Sequence, residues 1–417
     1  MTNPNTTNTV IIADQFWDGL ADSPVGAMQI RIENGQITAI APSVDQSNAQ
    51  VINLTGHTVT PGFIDCHVHS TFCEGDPTIP ASPYMVTVAQ MALYSLEPLK
   101  TLLMNGFTTV RDVGCPDPEF ITVDLKNAIA KGWIMGSRML VCPHLISAQG
   151  GHGDFTSLVA YQFHPEKFEV ADGSNAIIRM VREEIRSGAD WIKFCSTGGF
   201  SSPSDDPAQT TYSQEEMNTL VSTARDFGIQ TCTHAYGDEG VTRAVNAGVA
   251  SIEHGNLASA QTLQLMEQKG IYIVPTQYTV LEKARNANNE AYWQNRSPWQ
   301  HAKYKKYGAQ LLECAQNLAN SNVKIAFGTD AGTFPHQNNW MEFPAMVQTG
   351  ITPLRALKAA TSVAAELLNQ PNLGVLAVGK YADIIAMPGN PFEDINVTGQ
   401  VDFVMKQGVI YKQPTVG

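Results

Sequence analysis

Two histidines, His67 and His69, end an apolar run in the segment PGFIDCHVHS and are separated by a single residue. On a β-strand, residues i and i+2 point to the same side, so both imidazoles would share one face while Cys66 and Val68 occupy the other. Two imidazoles at this spacing can chelate a metal ion, and two packed or surface histidines are the alternative. The segment alone leaves both interpretations open.

Other metal-ligand residue types also fall at the ends of strand-like runs. His234 ends QTCTH, His254 ends SIEH, and Asp330 ends IAFGTD. A glycine follows each of them at once or shortly, as expected where backbone passes close to a ligand. Chance convergence of these residues with His67 and His69 is improbable, so the sequence predicts a metal centre at the carboxyl ends of the strands.

Lys193 lies inside the otherwise apolar strand-like run DWIKFC. A buried ammonium group is costly unless it is paired or neutral. One interpretation is an ion pair with an acid on a neighbouring strand. The other is that the neutral amine takes up CO₂ and becomes a carbamate, whose two oxygens bridge two metal ions.

The elements that must position these residues alternate between strand and helix. Helical patterns cover 177–187, 214–227, 238–247, 260–269 and 304–321. Strand-like runs cover 59–68, 108–113, 138–142, 191–195, 229–233, 251–253, 271–274 and 324–328. Eight such units over residues 61–367 predict an α/β fold, a TIM-like (β/α)₈ barrel with its active site at the carboxyl ends of the strands. Three long segments are predicted to be loops at that face: 143–175, 198–212 and 277–303.

Both ends of the chain have strand patterns. Residues 28–40 read as a hairpin around Asn34-Gly35, and 382–411 contain further β-rich runs. Two such fragments can pair the free backbone N–H and C=O groups of their edge strands by joining in one sheet structure. The predicted organisation of the 417 residues is therefore a catalytic barrel at 61–367 and a small composite β-sandwich from 1–60 and 368–417.

Composition excludes several classes of protein. The formal net charge of −13 argues against a nucleic-acid partner and against anionic membrane surfaces. No apolar run is long enough to cross a membrane. Seven scattered cysteines without a C-x-x-C read as reduced core thiols, which favours the cytoplasm. Residues 1–6 lack the features of a signal peptide, and a removed leader stays open.

Taken together, these residues resemble the amidohydrolase superfamily in its binuclear form with a carboxylated lysine. Within it, GGHGDF and TGGFSSPSDDP resemble the imidazolonepropionase-like branch, in particular Xaa-Pro and Xaa-Lys dipeptidases and ochratoxin-hydrolysing amidohydrolases. The superfamily segments are PGFIDCHVHS, GFTTVRDVG, GADWIKFCSTGGF, THAYG, NAGVASIEHG, AFGTDAG and GKYADIIAMPGNP.

The resemblance implies two divalent metal ions with shared ligands. His67, His69 and Asp330 would hold one ion and His234 and His254 the other, with carboxylated Lys193 and a hydroxide between them. Zinc is the expected metal, and manganese, iron, cobalt and nickel stay open. The hydroxide would attack the carbonyl of a small-molecule amide or dipeptide, and Asp330 would carry its proton to the leaving nitrogen. An assembly of identical chains is implied as well.

Substrate contacts are less sharply defined by the sequence. His152 would donate to the substrate carbonyl, or else cap a loop turn. Tyr236 would contact a substrate carboxylate, or else form part of the rim, and His144 is a third candidate. Arg111 is expected to pair with Asp112 or another acid. The Asp205-Asp206 pair reads as an acidic spot in a mobile loop.

The sequence leaves three interpretations of the protein's function. The first is hydrolysis of an amide whose leaving group is an amino acid, as in a dipeptide, an N-acyl amino acid or ochratoxin A. The second is deamination or cyclic-amide hydrolysis of an imidazolone-like ring, against which Lys193 counts, because mononuclear deaminases of this superfamily need no bridging lysine. The third, an inactive structural relative, is disfavoured because all six predicted ligands are present.

Overall fold

The computed structural model describes residues 8–74, 86–115, 117, 119–154 and 169–414. The segment 1–6, expected to lack a signal peptide, and part of the predicted loop 143–175 lie outside these ranges. The strands are β1 (Thr9–Phe16), β2 (Met28–Glu33), β3 (Gln36–Ala41), β4 (Gln50–Pro61), β5 (Phe63–Val68), β6 (Phe107–Asp112), β7 (Arg138–Val141), β8 (Leu145–Ile146), β9 (Trp191–Cys195), β10 (Gln230–Gly237), β11 (Ser251–Leu257), β12 (Tyr272–Val274), β13 (Ile384–Pro388), β14 (Phe403–Lys406) and β15 (Val409–Lys412).

The helices lie mostly between the central strands. They are α1 (Val88–Met104), α2 (Ile121–Ala130), α3 (Gly173–Ser187), α4 (Gln214–Asp226), α5 (Asp238–Ala247), α6 (Ala260–Lys269), α7 (Gln277–Arg285), α8 (Glu290–Trp293), α9 (Pro298–Ala319), α10 (Glu342–Gln348), α11 (Pro353–Ala359) and α12 (Ser362–Leu367). Short 3₁₀ helices cover His336–Met341 and Ile395–Gln400. In the described part of the chain, no helix is long and apolar enough to cross a membrane.

Two parallel sheets carry the predicted ligand residues. One has the order β5-β6-β7 and the other β12-β11-β10-β9-β8. The segment 325–331 links them through single parallel bridges, Ile273 to Ile325 and Val68 to Ala331. Hydrogen bonding among the described residues thus forms two linked parallel sheets, and a continuous eight-stranded ring is not detected.

The predicted run 59–68 is two strands, because the chain passes from one sheet to another at Gly62. A Cβ atom at this position would lie 2.3 Å from Oγ1 of Thr108, so only glycine fits against β6 without displacement. The break ends β4 at Pro61 and begins β5 at Phe63. It therefore sets the register in which β5 presents its two histidines.

Several helix boundaries follow from local capping. Ser213 and Ser259 accept backbone N–H bonds at the starts of α4 and α6, while Gly248 and Gly270 end α5 and α6 in the left-handed conformation. The expectation of a loop at 277–303 is wrong, because α7, α8 and the start of α9 occupy it. The residue before α7, Thr276, makes no side-chain cap, so the usual local signal is missing there.

Strands from both ends of the chain share one seven-stranded sheet, in the order β15-β14-β13-β4-β1-β2-β3. β1 pairs in parallel with β4, and β13 pairs antiparallel with the other edge of β4. Ile11, Ile30, Leu54 and Phe403 are among the residues of its separate apolar core. The division into domains at residues 60 and 368 stays a prediction.

Candidate metal centre

Three predicted ligands form one compact buried cluster. Nε2 of His67 and Nε2 of His69 each lie 3.3 Å from Oδ1 of Asp330. The three donor atoms lie within 4.8 Å of one another, the only such group of histidine, cysteine or acidic residues among the described ones. Gly332 lies close beside the cluster: a Cβ there would come within 2.8 Å of the Cβ of His69. The three residues bring two imidazoles and a carboxylate together at one point.

The other ring nitrogens of these two histidines have acceptor partners. Nδ1 of His67 lies 2.8 Å from Oε2 of Glu253, and Nδ1 of His69 lies 2.8 Å from the carbonyl oxygen of Gly114. A carboxylate and a carbonyl only accept, so each Nδ1 carries the hydrogen. Nε2 is therefore the ring nitrogen that faces Asp330, and it is the atom through which each ring could bind a metal ion.

Glu253 and Arg111 form a fully buried ion pair behind His67. Nη2 of Arg111 lies 2.7 Å from Oε1 of Glu253, and both side chains are 0% exposed. Burial alone would raise the pKa of Glu253, but the charge of Arg111 and the bond from His67 hold it below its ordinary value. The predicted pairing of Arg111 with an acid is confirmed, with Glu253 as the partner and not Asp112.

The carboxyl of Asp330 is held in its ionised form. Burial alone would raise its pKa, but the neighbouring imidazoles of His67 and His69 outweigh burial and hold it well below the ordinary value. Its backbone has a φ of 64°, and its N–H donates to the carbonyl oxygen of His67 at 2.8 Å. This left-handed turn ends the strand-like segment and directs the carboxylate to the two imidazoles.

His234 and His254 lie on the other side of the cluster. Their ring centroids are 4.7 Å apart, and the ring of His254 is 5.0 Å from that of His67. Nε2 of His234 donates to the carbonyl oxygen of Gly198 at 3.2 Å, which leaves Nδ1 with its lone pair. Burial, together with neighbouring positive groups, holds the pKa of both histidines well below the ordinary value. Both rings are therefore neutral, as metal ligation requires.

Lys193 is 2% exposed on β9, beside Cys232 of β10. Its amine makes no hydrogen bond or ion pair with any residue that the structure describes. Its positive charge is among the causes that lower the pKa of both His234 and His254. The register of the two strands puts Lys193 opposite Cys232, two residues before His234, and its predicted carboxylation stays a prediction.

His152 packs directly on His234, and Tyr236 packs directly on His254. The ring of His152 stacks on His234 at 4.1 Å, and the ring of Tyr236 stacks on His254 at 4.8 Å with an interplanar angle of 6°. Nδ1 of His152 lies 2.8 Å from Oγ of Ser202. The structure thus brings both predicted substrate contacts to the cluster.

The segment 198–212 is fastened to α9, contrary to the expectation of a mobile acidic loop. Nζ of Lys303 donates to the carbonyl oxygens of Gly199 and Ser202 at 2.6 Å and reaches Oδ1 of Asp205 at 3.1 Å. Burial opposes the charge of Asp205, but His152, Ser202 and Lys303 lower its pKa to about 2. Asp205 is a buried anchor of this segment.

Tyr304 of α9 was not found by the sequence reasoning. Its ring stacks on Phe200 at 4.4 Å, and Phe200 meets Tyr236 edge-on at 4.9 Å. Neither phenol, of Tyr236 or Tyr304, has a hydrogen-bond partner among the described residues. Burial, with the charge of Asp330 as a further cause, raises the pKa of both well above the ordinary value, so both stay neutral donors. No strand-end pattern marks a residue in the middle of a helix.

His144 lies apart from the cluster, with both ring nitrogens engaged. Nδ1 lies 2.6 Å from Oε1 of Glu184, and Nε2 lies 2.6 Å from the carbonyl oxygen of Asp117. Burial would lower its pKa, but Glu184 outweighs burial and raises it to about 9. Since these contacts leave no ring nitrogen for a substrate, His144 is not part of the site proposed below.

The donor set fits a borderline divalent metal. Imidazole nitrogens with a carboxylate are ligands that zinc and its neighbours accept. The Nε2 atoms of His67 and His69 both face Asp330, and each ring is oriented by a hydrogen bond from its other nitrogen. Such orienting contacts are the usual support of metal-binding histidines.

Comparison with known proteins gives matches across almost the whole chain. Residues 58–411 match the model of the amidohydrolase family. Ochratoxinase of Aspergillus niger is 32% identical over 388 residues, 86% of this chain and 76% of that protein. Imidazolonepropionase of Chromobacterium violaceum is 26% identical, over 87% of this chain and 86% of that protein.

Solved structures agree with the sequence matches. The crystal structure of a Xaa-Pro dipeptidase with methionine bound in its active site is 34% identical and has a TM-score of 0.90. That match covers 97% of this chain and 100% of the other. The family and these structures give a TIM-barrel-like α/β fold.

Proposed function

This chain belongs to the amidohydrolase family and is a hydrolase, and we propose that it cleaves an amide bond whose leaving group is an amino acid. The observation that carries the proposal is the buried cluster of His67, His69 and Asp330, with His234 and His254 packed against it. Relatives named ochratoxinase and Xaa-Pro dipeptidase support this substrate class.

Six residues would hold two divalent ions, for which zinc is the expected metal. His67, His69 and Asp330 serve one ion, His234 and His254 the other, and a carboxylated Lys193 is shared between them. Bound there, such ions supply a water that is ionised at neutral pH and polarise the substrate carbonyl. Two observations support this assignment: His234 and His254 are neutral, and the buried amine of Lys193 has no partner among the described residues.

Asp330 is the proposed proton carrier. Its carboxylate is ionised at neutral pH, because His67 and His69 hold its pKa low. It accepts a proton from the attacking water as the new C–O bond forms, and it returns that proton to the leaving nitrogen as the C–N bond breaks. The products are a carboxylic acid and a free amino acid, and no group is oxidised or reduced.

His152, Tyr236 and Tyr304 bind and orient the substrate in this proposal. Ser202 donates its hydroxyl to Asp205, so Nδ1 of His152 donates to Ser202, and Nε2 is the ring nitrogen left for the substrate carbonyl oxygen. It donates there as part of a doubly protonated ring, whose charge Asp205, 3.7 Å from Nδ1, would balance. The two neutral phenols donate to the carboxylate of the leaving amino acid. Phe200, packed between the two phenol rings, provides an apolar wall that suits an apolar or aromatic side chain.

A second candidate is hydrolysis of an imidazolone-like ring, as the relative named imidazolonepropionase suggests. Lys193 disfavours a mononuclear deaminase, because such an enzyme needs no bridging group.

A closed (β/α)₈ barrel, residence in a reducing cytoplasm and an assembly of identical chains also belong to the proposal.

Metal analysis combined with a hydrolysis screen tests this function. The substrates are N-acyl amino acids, Xaa-Pro and Xaa-Lys dipeptides, ochratoxin A and an imidazolone. We expect about two metal ions per chain and amide cleavage. Fewer than one ion per chain, or conversion of the ring substrate alone, would contradict the proposal.

Asp330→Asn isolates the proton carrier. The amide keeps an oxygen that faces His67 and His69, but it cannot accept the proton of the attacking water. The value of kcat should therefore fall by about 10²–10⁴-fold, while the circular dichroism spectrum is unchanged. Wild-type turnover in this variant would rule out the proton-transfer role of Asp330.

A further inference from the structure

Glu342 is a fully buried carboxyl group whose partners are the backbone of another helix. Its exposure is 0%, and it begins α10. Oε1 accepts the N–H of Gln277 at 2.8 Å, and Oε2 accepts the N–H of Tyr278 at 2.6 Å. These are the first two residues of α7, so the carboxyl group caps α7 from a distant part of the chain.

Thr276, which precedes α7, does not cap the helix that it begins. Its φ is 45°, and its Oγ1 lies 2.8 Å from Nδ1 of His254. At α4, α6 and α11 the residue in this position, Ser213, Ser259 or Thr352, caps its own helix through its side-chain oxygen. At α7 the hydroxyl is directed to the metal centre.

We propose that Glu342 is a positioning residue for His254. By capping α7 itself, Glu342 leaves the hydroxyl of Thr276 free to accept the Nδ1–H of His254. The lone pair of Nε2 then points into the centre, as a metal ligand requires. The inference rests on the proposed function, in which His254 holds a metal ion.

Loss of the Glu342 cap has a defined local consequence. In Glu342→Gln the amide keeps one oxygen, so one of the two buried N–H groups would be left without an acceptor, which is costly. Loss of this acceptor would favour a change of Thr276 from its left-handed conformation, with a φ of 45°, to the extended one in which Ser213 and Ser259 cap their own helices. That change would turn the hydroxyl away from His254. His254 would then lose its partner, and its ring would be free to reorient. The result is weaker metal binding, not merely a weaker fold.

A double-mutant cycle on Glu342→Gln and Thr276→Val tests this coupling. The readout is the dissociation constant for zinc, measured by competition with a chromophoric chelator, which is independent of turnover. Each single variant should weaken zinc binding about 10–100-fold, the usual cost of losing a partner of a metal-binding histidine. The double variant should be no weaker than either single one, because both changes remove the same hydrogen bond.

Glu184→Gln is the matched control, since Glu184 is also buried and holds backbone and side-chain groups of His144. It should lower stability and leave zinc binding at the wild-type value. Additive effects in the cycle, or equal zinc binding in Glu342→Gln and Glu184→Gln, would overturn the role of Glu342. If Glu342→Gln does not fold, Glu342→Asp, which keeps a shorter carboxylate, takes its place in the cycle.

The two proposals fail in different ways. A wild-type chain that binds no zinc would contradict the proposed function. A wild-type chain that binds two zinc ions, with an unaffected Glu342→Gln variant, would contradict only the role of Glu342.

Discussion

Two buried histidine–glutamate pairs, in different parts of the molecule, look alike and serve different purposes. Nδ1 of His67 lies 2.8 Å from Glu253, and Nδ1 of His144 lies 2.6 Å from Glu184. The other ring nitrogen separates them. Nε2 of His67 is 3.3 Å from the carboxylate of Asp330 inside the cluster, whereas Nε2 of His144 donates to a backbone carbonyl.

The charge balance of the two pairs differs as well. The pKa of His144 is raised to about 9, so at neutral pH its ring carries two hydrogens and is a cation opposite Glu184. Glu253 is already paired with the guanidinium of Arg111, so it can orient His67 without requiring a charged ring. A buried histidine with an acidic partner is thus a better candidate ligand where its second nitrogen faces another metal-ligand residue type and its partner is neutralised by another group.

The largest expected contrast comes from removing each ring. His67→Asn should weaken zinc binding by more than about 100-fold, because loss of a hydrogen-bond partner of a metal-binding histidine already weakens metal binding about 10–100-fold. The value of kcat/KM should fall with it. His144→Asn should keep wild-type zinc binding and kcat/KM while lowering the melting temperature. Chelator competition and steady-state kinetics on both variants measure this. Equal losses of zinc would remove the distinction between the two histidines.

Changing the acid partner gives the next contrast. Glu253→Gln removes the charge that Arg111 faces, and breaking a buried ion pair costs about 3–5 kcal/mol. It also weakens the acceptor of His67, so zinc binding should drop about 10-fold or more. Urea unfolding and zinc competition measure the two effects, with Glu184→Gln as the variant expected to change stability alone. Unchanged zinc binding in Glu253→Gln would show that the pair does not orient His67.

The smallest contrast is in pH dependence. The pKa of His144 is raised to about 9, above the value of about 6.5 in an unfolded chain. The pair therefore stabilises the fold fully below pH 6.5, and a contribution of about 3 kcal/mol is lost as the pH rises through 9. Urea unfolding at pH 6, 7.5 and 9 measures this loss. The loss should be absent in His144→Asn, and an equal loss in that variant would assign it to other groups.

The convergence of the proposed ligand residues was predictable because each has a local signature. His67, His69, His234, His254 and Asp330 end strand-like runs, and strand ends in such folds converge. No pattern of neighbours could have supplied their partners, because His67 and Glu253 are 186 residues apart in the chain.

Glu253 is also an exception to the alternation of side chains between the two faces of a strand. It precedes His254 on β11, so simple alternation would place the two side chains on opposite faces. The φ of 70° at His254 interrupts that alternation, and both residues take part in the centre. The sequence ranked His144 behind His152 but could not exclude it from the site, because distant partners, Glu184 and Ser202, decide where each ring lies.

The seven-stranded sheet places a timing constraint on synthesis of the chain. β4 lies between β1 and β13, and more than three hundred residues separate the end of β4 from Ile384. At roughly 5–20 residues per second, one edge of β4 waits roughly 15–60 s for its partner to leave the ribosome. An unpaired edge is a template for pairing with other chains. Yield on expression should therefore depend on how fast the last thirty or so residues are delivered, even though none of them belongs to the metal centre.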